Sequence, residues 1–155
     1  MIGRVARLLS IAFLIGSLTL GAATMAAEPA ALVRYGTTYG ECVAYCSRSI
    51  EVFATRVRFS ASGFASQPRR APFRSGNSLN RQEQVEVRRL ILATSVEGLP
   101  ERIGCPDCDD SGAEWIEVNR SGHLERITFE KGKSPVQLKP LVDWLSAMQD
   151  RFQVP

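Results

Sequence analysis

The chain has a single histidine, His123, and no Gly-rich loop that opens into a helix. The missing loop removes the usual cradle for nucleotide phosphates. A serine nucleophile needs a base; His123 is the only imidazole, and no serine sits in a recognisable nucleophile motif. Glu114 and Glu117 are a candidate acid–base pair, but three residues apart on a strand they point to opposite faces. No catalytic residues are assigned, and a non-enzymatic protein is expected.

Acidic residues are absent before Glu28, where the only charges are Arg4 and Arg7. Between them and Glu28 runs an apolar stretch, Leu8 to Ala23, broken by Ser10, Gly16, Ser17, Thr19 and Gly21. It closes on the small residues Ala22 to Ala27. A positive start, a short apolar centre and a small-residue end make residues 1–27 a secretory signal peptide. The run is too short and too rich in Gly and Ser for a spanning helix of about 20 apolar residues. No cysteine follows it to carry a lipid. The expectation is a periplasmic or secreted protein with no membrane association once the signal is cut. Residues 28–155 then form one exported domain, long enough for its own core.

A concentrated basic face is also lacking. Without Arg4 and Arg7, seventeen basic residues stand against sixteen acidic ones. Residues 28–100 carry ten arginines and six acids, and residues 101–155 carry seven basic and ten acidic residues. Such a mild asymmetry argues against nucleic acid as a partner.

Two similar halves, about 34–100 and 101–155, are read from what is present. In the first, Cys42 and Cys46 precede Ser47 to Phe53, and Arg56 to Ser60 alternates apolar and polar residues as a half-buried strand does. A helix begins at Asn80, whose side chain caps the first turn while Glu83 reaches back. Val87, Leu90, Ile91 and Thr94 share one helical face, and Gly98 and Pro100 stop the helix. In the second half, Cys105 and Cys108 precede a hairpin of Ala113–Val118 and Leu124–Phe129. A helix follows near Lys139, with Pro140 in its first turn. Leu141, Trp144, Leu145, Met148 and Phe152 form its core stripe. One hairpin alone is not stable. The expected α+β fold is therefore a four-stranded antiparallel sheet from two hairpin–helix (ββα) halves, both helices on one face.

Four cysteines in a small exported chain read first as two disulfides. The local pairs Cys42–Cys46 and Cys105–Cys108 are favoured because each opens its own hairpin; cross-pairing of the halves stays open, since sequence does not fix connectivity. Two alternatives compete. Thiol–disulfide redox chemistry at Cys105-Pro-Asp-Cys108 wants a helix behind the motif, and here a strand follows beside Asp107, Asp109 and Asp110. A four-cysteine zinc site is weakened by the longer first spacing and by the oxidising compartment. No metal or other cofactor is assigned.

The segment 60–79 mixes Ser, Gly, Pro and Asn with Phe64, Arg69, Arg70, Phe73 and Arg74. Structureless loops beyond about 12–15 residues are uncommon inside domains and tend to be functional or disordered. Arg69, Arg70 and Arg74 meeting an acidic surface, with Phe73 as anchor, make it the expected binding element for a protein partner.

The stretch Tyr35-Gly-Thr-Thr-Tyr-Gly-Glu-Cys-Val-Ala-Tyr-Cys46, with Gly104-Cys-Pro-Asp-Cys108 and Gly112-Ala-Glu-Trp-Ile-Glu117, resembles a family of uncharacterised exported bacterial proteins. The resemblance covers most of residues 28–155. It implies an exported setting and a small α+β domain, and it brings no activity.

Overall fold

The computed structural model describes residues 29–40, 42–63, 71–120 and 122–155. The expected signal segment 1–27 lies outside the described residues, as do Arg69 and Arg70. Among the described residues no helix is long and apolar enough to cross a membrane.

The expected four-stranded antiparallel sheet is corrected to a seven-stranded mixed sheet. Its strands are β1 (Val33–Thr38), β2 (Ser47–Val52), β3 (Arg56–Ser62), β4 (Phe73–Ser78), β5 (Arg102–Ile103), β6 (Ala113–Arg120) and β7 (His123–Glu130). They lie in the order β4-β3-β2-β1-β6-β7-β5. All neighbours are antiparallel except β5, which runs parallel to β7. The two expected hairpins exist as β2–β3 and β6–β7, but they do not touch. Strand β1 stands between them, with Tyr35 opposite Ile50 on one side and Ile116 on the other. The halves are accordingly not copies of one ββα unit.

Strand β1 forms because Val33, Tyr35 and Thr37 alternate with Arg34, Gly36 and Thr38. The first set is buried on the helix side. Segment 60–79 is likewise not a single loop: residues 60–62 complete β3 and 73–78 form β4. Ser, Gly and Asn are poor strand formers. What holds β4 is its register against β3, from Arg56 opposite Ser78 to Ala61 opposite Phe73.

Helix α1 (Arg81–Ala93) starts where its sequence says it must. Glu83 N–H donates to Asn80 Oδ1 at 2.9 Å, and Asn80 N–H donates to Glu83 Oε2 at 2.8 Å. A cap of this kind stabilises by about 1 kcal/mol. The helix ends at Ala93, ahead of Gly98, because Thr94 turns extended and its hydroxyl donates to Leu90 O at 2.8 Å. At 1.5 Å per residue, α1 is roughly 20 Å long. Its segment carries the chain from edge strand β4 to β5 at the opposite edge.

Helix α2 (Lys139–Gln149) buries Leu141, Val142, Leu145 and Met148. It packs on α1 and over β1 and β2, and Arg151 just past its end ion-pairs with Glu83 of α1. Both helices thus share one core with the inward side of the sheet, including Tyr35, Ile50, Phe59, Ile116 and Phe129. Phe59 stacks on Phe152 with centroids 5.0 Å apart and meets Phe73 edge-on at 6.1 Å. Removing side chains of this size from water supplies about 1.5–3 kcal/mol each. Among the described residues the other face of the sheet carries no helix.

Candidate functional site

That uncovered face is organised by charge. Arg58 of β3, Glu51 of β2, Arg34 of β1, Glu117 of β6 and Arg126 of β7 are successive register partners. They form one row across five strands with alternating sign. Arg58 Nη1 donates to Glu51 Oε2 at 3.2 Å, and Arg34 Nε lies 2.9 Å from Glu51 Oε1. Arg34 Nη1 donates to Glu117 Oε2 at 3.4 Å, and Arg126 Nε donates to Glu117 Oε1 at 2.8 Å. Each carboxylate is thus shared by two guanidinium groups. The pairs are partly exposed, so each contributes only about 0.2–1 kcal/mol. Their larger effect is to hold five long side chains in fixed places.

Trp115 lies along this row, across from Gly36. Gly36 has no side chain, and a Cβ placed there would stand 2.7 Å from the indole Nε1. The indole therefore lies directly against Gly36 of the β1 backbone. Arg126 covers its outer side, with the guanidinium carbon 4.1 Å from the ring centroid. Ser49 and Ser60 fill the space toward β4 and share a 2.8 Å hydroxyl hydrogen bond.

Beyond β3 the row reaches β4, where the partner of Arg58 is Gly76. Beside it, Arg74 is exposed and makes no ion pair among the described residues. Four arginines, at 34, 58, 74 and 126, line one hollow of this face together with Glu51 and Glu117.

Of the expected partner-binding residues, Phe73 and Arg74 are the first two residues of β4. Alternation places them on opposite sides of the sheet. Phe73 is partly buried against Phe59, whereas Arg74 lines the charged face. They do not form a common patch on either face. The remaining members of the face, Arg34, Glu51, Arg58, Trp115, Glu117 and Arg126, were missed as a site by the sequence reading. The available signal was polar residues alternating with apolar ones in five separate segments.

The cysteines join locally. Cys42 bonds to Cys46 in the β1–β2 connection, with Cα atoms 5.4 Å apart, and Cys105 bonds to Cys108 before β6, at 5.5 Å. Behind Cys108 is a single 3₁₀ turn, Cys108–Asp110, followed by β6. The two disulfide loops lie at the same end of the sheet and meet there. A Cβ at Gly40 would come 3.0 Å from the Asp110 Cα. Tight turning at the second loop puts Asp107, Asp109 and Asp110 at positive φ.

Glu114 and Glu117 do occupy opposite faces of β6. Glu114 is buried on the helix side, where desolvation raises its pKa, partly offset by a hydrogen bond from Gly132 N–H and by Lys131. Next to it, burial pushes the Tyr35 phenol far above its ordinary range, reinforced by the Glu114 charge. His123 sits exposed at the end of the β6–β7 hairpin, opposite Arg120.

No family model matches this chain, and no curated protein matches it.

Proposed function

We propose that this chain is an exported, non-enzymatic domain that binds a protein partner through the uncovered face of its sheet. Two local disulfides brace one end of that sheet. The observation that carries the reading is the charge row. Its surplus of arginine is pinned in register, and Arg74 is left without an ion-pair partner among the described residues. A face of fixed cations costs less ordering entropy on binding than flexible ones do. Export follows from the reading of residues 1–27 and agrees with the disulfides, which persist in oxidising compartments. The resemblance to exported bacterial proteins supports the same setting.

Crosslinking of the tagged chain in a periplasmic or culture fraction, followed by mass spectrometry, tests the reading. Arg34→Ser combined with Arg126→Ser should remove any partner that the unaltered chain captures. Equal capture by the substituted chain, once circular dichroism has confirmed its fold, would overturn the assignment of this face.

A further inference from the structure

The two edges of the sheet are unlike. At one end β5 is only two residues long, a short edge that offers little to pair with. At the other end β4 runs six residues, and Arg74 to Ser78 are all exposed. The backbone bonding shows which groups that edge presents. Leu79 N–H donates to Thr55 O at 2.9 Å, and Phe53 N–H donates to Arg56 O at 2.8 Å. Antiparallel bonding alternates along a strand. Val57, Phe59 and Ala61 therefore bond toward β4, pairing with Asn77, Ser75 and Phe73. Arg74, Gly76 and Ser78 direct their N–H and C=O groups outward, away from β3.

The charge row arrives at this same edge. Reading outward from β7 it runs Arg126, Glu117, Arg34, Glu51, Arg58, and then Gly76 on β4. The place where alternation calls for an acidic residue is thus held by Gly76, which has no side chain, so Arg58 has no acidic neighbour across from it on β4 and an acidic side chain on an added strand meets no obstacle there. Arg74, two residues away on the same face, is exposed and makes no ion pair among the described residues. The opposite side of the edge is apolar at Phe73, which packs on Phe59.

From this we infer that the partner docks by adding an extended segment to the outer edge of β4. On the charged face that segment carries acidic residues beside Gly76 and Arg74; on the helix face it carries an apolar residue beside Phe73. Strand addition takes its affinity from main-chain hydrogen bonds and its specificity from alternate side chains. A strand lying along β4 touches both Phe73 and Arg74, although they lie on opposite faces. The inference rests on the partner-binding reading above and specifies the partner as a protein with an acidic–apolar alternating segment.

The test uses the full disulfide-bonded chain, isotopically labelled for amide NMR, and three capped synthetic heptapeptides. One alternates valine with glutamate, one alternates valine with lysine, and the third is the acidic peptide N-methylated at alternate residues. The acidic peptide should bind about tenfold or more tighter than the lysine peptide, because like charges opposed across an interface are penalised. Its amide shifts should centre on Arg74, Gly76 and Ser78, and N-methylation should abolish them. Arg74→Ala should weaken binding, and Arg74→Pro should weaken it further by removing an outward N–H that β3 does not use. Equal binding of the acidic and lysine peptides, shifts confined to other strands, failure of the acidic peptide to bind, or self-pairing of two chains through β4 would each overturn the inference. If natural partner capture persists in Arg74→Pro but is lost in the Arg34/Arg126 double variant, edge docking fails and the binding face stands. If both variants capture normally, both readings fail.

Discussion

Trp115 rests directly on Gly36, its partner across the β1–β6 ladder, and is closed from outside by Arg126. One residue without a side chain thus decides how the largest ring on the uncovered face lies. The ring in turn fixes the guanidinium that ends the charge row.

Gly36→Ala should displace this indole. A methyl group there overlaps the ring, so the indole must lift away and release Arg126. Overpacking of this kind costs about 1–3 kcal/mol, and a partly exposed cation–π contact adds about 0.5–1 kcal/mol. The urea midpoint should fall, with an altered near-ultraviolet circular dichroism band. An unchanged midpoint and band would show that the indole does not lie on the β1 backbone.

Glu114 should make stability fall as pH rises from acid. Its pKa is raised in the folded chain, chiefly by desolvation, so the folded state holds its proton more tightly than the unfolded state does. The stabilising contribution is complete below the unfolded carboxylate pKa, near 4.3. It is lost as pH climbs through the folded value, because the buried carboxylate must then ionise. Glu114→Gln keeps an acceptor for Gly132 N–H and removes the charge. Above the transition the variant should be more stable than the unaltered chain, by on the order of 1 kcal/mol. Melting curves at pH 4, 6 and 8 check the sign; parallel pH dependence in the two proteins would refute it.

The cysteines should resist alkylation until reduced, then take up four labels per chain by intact mass. Labelling before reduction, or stoichiometric zinc in the same sample, would instead favour free thiolates. Replacing Cys105 and Cys108 by serine should cost about 2 kcal/mol, since so short a loop constrains the unfolded chain little. The Cys42/Cys46 pair should cost more, because Cys46 is fully buried and serine would place a hydroxyl there. Equal losses for the two pairs would contradict this ranking.

Both helices and both hairpins were legible in the amino-acid order, because their signals are local. Asn80 and Glu83 meet within one turn, Leu141, Leu145 and Met148 fall on one helical stripe, and Val57 and Phe59 alternate with arginines. β1 was hidden because Gly36 and two threonines dilute its pattern, and one of its two partners, β6, is remote in sequence. β4 was hidden for a similar reason: Phe-Arg-Ser-Gly-Asn-Ser has little intrinsic strand preference, and only β3 makes it a strand. Arg74 was visible as a cation but not as the end of a row.

The order of residues by itself determined the helix starts, the inward stripes, the closeness of each cysteine pair and the signal-like character of residues 1–27. Tertiary structure alone decided that β1 separates the hairpins and that, among the described residues, both helices lie on one face of the sheet. It also brought Arg34, Glu51, Arg58, Glu117 and Arg126 into a single line. The physical reason is range. Caps, turns and periodic stripes act over a few residues, whereas a cross-strand row exists only after pairing has set the register of five strands.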